Sequence, residues 1–452
     1  MDPLHRWDDG TENGAAMTMT KAEAMGSGGT RHAWGVVAIL SFLYFMSFVD
    51  RAILALVVSP LMAEFAVSEV EIGLLFGPAF AIFYAALGLP CALIADRGNR
   101  RRLVVVGVLL WALCTIASGL AHAFWLLVVL RIGLAIGEAA LTPAAYSLIG
   151  DMFSPVRRVR AASFYSAVGI AGAAGAYLVG ALAIDLVERG ALAAFGELET
   201  WRAVFFVVGV PAVLGGLLFA AIAREPDRTA VPANPHARAN VIDHLAQHRL
   251  MYATLFCGAG ILQAVTYGYA AWGPEIARRS YGLPIQQAGA IFGMAGLVGA
   301  VLGTLIAPAL AAMWQARGRR DAIAIVAIAA ATVGGAAAAL GPLMPTAGLY
   351  TLCYALASFG LFGASTGLLV ALQVIAPQAH KGTLVAILLM AMTLLGGVLG
   401  PPSVALFAPR LGGLAPSLSA LSIAATIAGI SLLLGARRPL AHYLASKEDQ
   451  TF

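Results

Sequence analysis

Twelve apolar runs of about 20 residues recur along the chain, separated by short polar stretches. Each is long enough to carry a helix across the ~30 Å of a bilayer's hydrocarbon core at 1.5 Å per residue. A helix also satisfies its own backbone where no water can. The runs fall at about 33–61, 70–95, 103–121, 124–149, 160–184, 202–222, 250–276, 286–313, 322–341, 347–375, 382–407 and 415–435. With 60% hydrophobic and 11% charged residues and a mean hydropathy of +0.85, the composition agrees with an all-α, polytopic membrane protein.

The distribution of Lys and Arg sets the orientation, because positive loops stay on the cytoplasmic side during insertion. Of the 28 basic residues, five (Arg189, Arg202, Arg278, Arg279, Arg410) fall in loops opposite the termini and two, Arg51 and Arg131, inside runs. The rest share the side of the termini. Both termini are therefore expected in the cytoplasm, with the protein in the plasma (inner) membrane. The pI of 9.1 reads as an orientation signal and an attraction to anionic membrane lipids. Nucleic acid is not an expected partner, since no soluble segment carries a basic patch with interleaved aromatics.

Six runs precede and six follow a polar stretch at 223–249 that contains three prolines. The expected organisation is a disordered cytoplasmic tail at 1–32, a six-helix bundle at 33–222, a cytoplasmic linker at 223–249, a second bundle at 250–437 and a tail at 438–452. The halves echo one another: RGNRR at 97–101 follows the second run, and RGRR at 317–320 follows the eighth. Two pseudo-symmetric six-helix bundles, in one monomer, are the expected fold.

Several chemistries are excluded. The chain has three lysines and no G-x-x-x-x-G-K-[ST] cradle for nucleotide phosphates, so direct ATP drive is not expected. GASTG at 363–367 matches a nucleophile elbow, but it lies inside an apolar run with no histidine in any run to serve as base. Small residues for close helix packing explain it, as they explain GxxxG at 299–303 and 396–400 and the Gly169, Gly172, Gly175 ladder. The four cysteines lack CxxC spacing and the eight histidines fall in loops or tails. The chain is expected to be no enzyme, with no catalytic residues, no metal and no cofactor.

What remains is a handful of charges within runs: Asp50, Arg51, Arg131 and Glu138, with Asp185 and Glu275 nearer the ends. A charge at mid-bilayer costs ~2.5–3.5 kcal/mol even on lenient scales, so each needs a partner or a water-filled cavity. Neighbours on a helix point about 100° apart, so Asp50 and Arg51 cannot simply neutralise one another. The first run ascends and the fourth descends, placing Asp50 and Glu138 at similar depth; Arg131 lies two turns from Glu138 on nearly the same face. A cluster of Asp50, Arg131 and Glu138 at the interface of these two helices is expected. Two acids beside one Arg favour holding a proton. A static ion network that fixes helix register is the alternative.

Specific motifs now point to a family. ADRGNRRR at 95–102 resembles the loop signature of the major facilitator superfamily, and Arg131 followed by GLAIGEA at 133–139 resembles its fourth-helix signature. Asn99, GEA at 137–139, Pro143, GDMF at 150–153 and ASFYSAVGIAGAAGAYLVG at 162–180 are similar to the Spinster subfamily of lipid transporters. That resemblance is dense over 42–215 and generic beyond, where Ala316 replaces the loop acid. It implies a secondary transporter moving a lysophospholipid or sphingosine-phosphate-like substrate by alternating access, with protons as partner. Carried onto this chain, it implies Asp50 and Glu138 for proton coupling and Arg131 and Arg51 for the substrate's anionic group, the guanidinium fork suiting phosphate or carboxylate. Tyr84 and Tyr267, among Phe76, Phe80, Phe83, Tyr269 and Trp272, would accept an acyl chain. The gate at the cytoplasmic face would use Asp96, capping the eleventh helix near Lys381–Thr383 in the outward-open state, with Arg97, Arg100 and Arg101 adding interdomain or headgroup contacts. A proton-driven transporter of small drugs or organic acids, and a scramblase or sensor on the same fold, are the competing readings.

Overall fold

A computed structural model describes residues 27–190, 198–226, 237–319, 321–377 and 380–435. The expected tails at 1–32 and 438–452 lie outside these residues but for the first turns of the first helix. The helices in chain order are α1 Ser27–Leu56, α2 Val58–Phe65, α3 Glu69–Phe76, α4 Pro78–Arg97, α5 Arg100–Ser118, α6 Phe124–Glu138, α7 Leu141–Met152, α8 Pro155–Glu188, α9 Thr200–Ile222, α10 Ala237–Gln247, α11 Arg249–Tyr281, α12 Ile285–Ala316, α13 Ala322–Leu340, α14 Ala347–Ile375, α15 Lys381–Leu411 and α16 Leu414–Gly435. Among the described residues twelve spans are long and apolar enough to cross a membrane; α3 with α4 forms the second and α6 with α7 the fourth.

Proline places two of the breaks. Within a helix its ring collides with the carbonyl four residues earlier. Pro60 stands four residues after Leu56, where α1 ends, and Pro143 four after Ala139, in the break between α6 and α7. The first apolar run, expected to continue to residue 61, is therefore a span to Leu56 followed by the separate short helix α2. The proline-containing stretch at 223–249 also differs from a plain linker, because its second part forms α10. In the loop signature, Asn99 caps α5: its Oδ1 accepts from the Arg102 N–H at 2.7 Å.

Helix contacts repeat with a shift of six spans. The first span packs on the fifth as the seventh does on the eleventh; the third pairs with the sixth as the ninth does with the twelfth; the second meets the fourth as the eighth meets the tenth. The contacts between halves follow the same rule, second on eleventh and fifth on eighth. Small residues make these contacts close. A Cβ on Gly77 would collide with the Gly397 carbonyl, one on Gly293 with the backbone of Leu178, and one on Gly289 would come within 3.0 Å of Ala181. The glycines at 299 and 303 likewise admit the backbone of α14 and Gly400 that of α11, while Gly396 admits the side chains of Gln263 and Tyr267.

All these cross-half contacts lie toward the face opposite the chain ends, called here the far face. There Tyr177 Oη donates to the Ala270 carbonyl at 2.6 Å and Trp272 Nε1 to the Pro401 carbonyl at 2.9 Å, each bond joining helices of a closed seam or its supports. Toward the face carrying the chain ends, a Cβ added to Gly88 of α4 or Gly382 of α15 would meet nothing within 4 Å. The halves meet at the far face and part toward the other.

Candidate functional site

The charges of α1, α6 and the helices beside them form two interlocked acid–base pairs. Asp50 is 1% exposed; its Oδ2 lies 3.4 Å from Arg131 Nη1, and its Oδ1 accepts from Thr115 Oγ1 of α5 at 2.6 Å. Arg51 turns the other way, as the 100° step requires. Its Nε donates to Glu138 Oε2 at 2.9 Å, and its Nη2 bonds the same oxygen. Within the expected cluster Arg131 pairs with Asp50, and Arg51, which the depth argument did not include, pairs with Glu138.

Two acids and two bases balance in number, yet the network is incomplete. Arg131 Nε and Glu138 Oε1 are buried with no hydrogen-bond partner among the described residues. Leaving a buried donor or acceptor unmet costs ~1–3 kcal/mol each. Arg51 is also the accessible member: its side chain is 23% exposed against 8% for Arg131 and 1% for Glu138. Aromatics surround its guanidinium, which lies 4.4 Å from the Phe80 ring, 5.0 Å from Phe48 and 5.4 Å from Tyr84. Arg131 also reaches Phe80, at 5.4 Å.

The expected acyl-chain aromatics divide. Tyr84 stacks on Phe80 at 5.2 Å beside Arg51. Tyr267 is half-buried across the seam, against Gly396, Gly397 and Gly400. Tyr269 and Trp272 are buried packing residues whose polar atoms are spent on the carbonyls of Ala338 and Pro401. Phe76 contacts Trp272 at 6.2 Å within the seam.

The expected gate also divides. Asp96 and Arg97 are exposed at the end of α4. Arg100 and Arg101, expected to make interdomain or headgroup contacts, bond acceptors of the first half and the segment that follows it. Arg100, 1% exposed, bonds Asp151, Glu225 Oε1 at 2.7 Å and the Pro226 carbonyl at 3.0 Å. The Arg101 N–H donates to Glu225 Oε2 at 2.8 Å and its guanidinium to the Ala220 carbonyl. A buried guanidinium requires fixed acceptors, and Asp151 and Glu225 supply them at the ends of α7 and α9. Partial burial works against the Glu225 carboxylate, but the hydrogen bonds from Arg101 and Arg100 outweigh it and hold its pKa below the usual range.

Sequence reasoning missed a second ionic cluster, at the far face. Glu275 of α11, 1% exposed, accepts from Ser59 Oγ of α2 at 2.7 Å and from Arg278 Nε at 3.0 Å, and it also bonds Arg279. Arg279 reaches on to Glu69 of α3. Ser59 and Glu69 belong to the first half, the other three to the second. The intervals Glu275-x-x-Arg278-Arg279 are the i+3 and i+4 spacings of helical ion pairs, a signal present in the sequence. Its cross-half partners were not legible.

Twelve spans in two six-span halves that repeat one another define a transporter fold. The sequence profile described as Major Facilitator Superfamily matches residues 40–401. The chain belongs to that superfamily, whose members are transporters and not enzymes. Within it the chain is similar to Spinster proteins: a bacterial homologue of the human lysosomal transporter Spinster, solved inward-facing and unoccupied, superposes with a TM-score of 0.74 at 25% identity over 92% of this chain and 97% of that one. Human protein spinster homolog 1 is 29% identical over 54% of this chain and 46% of its own length. An MFS-type efflux pump of Mycolicibacterium smegmatis is 28% identical over 63% of each chain. A probable L-galactonate transporter of Escherichia coli is 26% identical over 58% of this chain and 59% of its own. The chain thus spans about half to under two thirds of the length of these curated relatives.

Proposed function

We propose that this transporter moves an amphipathic anion, a lysophospholipid or sphingosine-phosphate-like lipid, across the plasma (inner) membrane by proton-coupled alternating access, as a monomer with both termini in the cytoplasm. The observation that carries the reading is the incomplete double pair: Arg51 partly exposed, with Glu138 Oε1 and Arg131 Nε buried and unpartnered. An incoming anion takes the guanidinium of Arg51 from Glu138. Glu138, losing its counterion in a buried setting, then takes a proton. Asp50 stays held by Thr115 and Arg131 and serves as the second carboxylate. The ring of Tyr84 beside Arg51, and Tyr267 opposite, flank the apolar part of such a substrate. Asp96 and Arg97 close on the eleventh span when the far face opens. The Spinster relatives support the lipid; the efflux pump and galactonate transporter support a second reading, a small drug or organic acid at the same pairs.

The test is flux in proteoliposomes with lysophosphatidylcholine, sphingosine phosphate and galactonate under an imposed pH gradient. Wild type is expected to carry one of the two lipids in response to the gradient, and Glu138→Gln and Asp50→Asn to fold with that response lost. Gradient-driven flux of galactonate with none of either lipid selects the second reading; unchanged response in the double variant returns the pairs to a static network.

A further inference from the structure

Phe80 occupies a place that the proposed proton cycle does not use. Its ring is 2% exposed and within cation–π range of two guanidiniums, at 4.4 Å from Arg51 and 5.4 Å from Arg131. Each belongs to a different acid–base pair, so among the described residues this is the one ring within cation–π range of both.

Phe80 also stands at the start of α4, three residues beyond the Gly77–Pro78 break. The break is pressed against the second half. A Cβ on Gly77 would collide with the Gly397 carbonyl, a Cβ on Gly73 would come within 3.1 Å of the Pro401 carbonyl, and a Cβ on Gly397 would collide with Ala81, the residue after Phe80. Opening the far face must part this seam. Ala81 cannot leave Gly397 without the same turn of α4 moving, and Phe80 moves with it.

We propose that Phe80 is a positioning residue that ties the charge state of the two pairs to the closed seam between the halves. With the seam closed, the ring holds Arg51 on Glu138 and Arg131 on Asp50. With the seam parted, both guanidiniums lose a shared support, and Glu138 loses the grip of its counterion. The coupling runs both ways, since a two-state linkage is reciprocal. The titratable and charged groups around the ring are Asp50 and Arg51 from α1, Arg131 and Glu138 from α6, Tyr84 on α4 itself, and Tyr267 across the seam.

The inference rests on the proton-coupled reading, and the experiment separates the two. Spin labels at positions 67 and 283, on either side of the far face, are placed in full-length protein whose four native cysteines are alanine, and the distance between them is recorded in nanodiscs from pH 5 to 8 without substrate. Wild type is expected to shift between short and long distances with pH. In Phe80→Leu, which keeps apolar bulk but removes the ring, the closed-to-open ratio at pH 7 is expected to fall about threefold to thirtyfold, the value of one or two cation–π contacts. The pH at which the distances change is expected to rise by about half a unit or more. Phe80→Trp, which retains a π face, should restore both. A pH profile in Phe80→Leu that superposes on wild type overturns the role of Phe80 while leaving proton coupling standing. Absence of any pH response in wild type overturns the proton-coupled reading itself. A loss in Phe80→Leu that Phe80→Trp does not restore assigns the residue to packing and overturns the inference as well.

Discussion

At the scale of single residues, Asp50 and Arg131 make the sharpest stability case. Arg131→Ala strands a carboxylate that is 1% exposed, and losing one partner of a buried pair costs ~3–5 kcal/mol. Adding Asp50→Asn should return much of that stability, whereas adding Glu138→Gln should return little, as read by melting temperature. The sequence placed Asp50, Arg131 and Glu138 in one cluster, with Arg131 and Glu138 two turns apart along one helix face. The depth argument found three members of the cluster and could not rank their pairings, because Arg51 reaches Glu138 by a rotamer that no spacing encodes. Thr115 was equally hidden, one small hydroxyl in an apolar run. Outside the membrane, Glu225 makes a pH-dependent contribution. Its folded pKa lies below the unfolded value of ~4.3, so its stabilisation is present above that pH and lost as the pH falls through the folded value. Glu225→Gln should therefore melt lower than wild type at pH 7, with the gap closing as the pH is taken from 5 toward 3.

At the scale of helices, the far-face cluster decides how firmly α11 is tied to α2 and α3. Glu275→Gln keeps the shape of the side chain and a hydrogen bond from Ser59 but removes the charge that Arg278 and Arg279 share. The variant should open the far face more often, seen as a larger share of the long distance between spin labels at positions 67 and 283; an unchanged distribution would make the cluster a bystander. The helices themselves were legible as twelve apolar runs, and Pro60 and Pro143 mark two breaks by a steric rule readable from the chain. The glycine motifs at 299–303 and 396–400 were legible as packing, since α14 and α11 do approach there. Arg100 and Arg101 were not, because their acceptors Asp151 and Glu225 stand 51 and 125 residues from Arg100 and the loop signature names only the basic side.

At the scale of the whole molecule, the bias of basic residues predicts which face is which. A reporter joined after Glu225 should read as cytoplasmic and one joined at Gly190 as external; the reverse would invert the proposed orientation and the direction of every transport step. The six-span repeat of contacts has its own basis in the chain, although the sequence offered only RGNRR and RGRR as its trace. Repeated geometry needs small residues at equivalent places, and many residue combinations supply them. Arg100 and Arg101 anchor Glu225 and Pro226 to the first half, and α10 lies against α11 of the second. Each half thus keeps its own end of the joining segment fastened to itself. Cut between 227 and 236, the two pieces retain every seam contact described above, so a protein supplied as two separately translated polypeptides should dock in the membrane and cycle without a peptide bond between them.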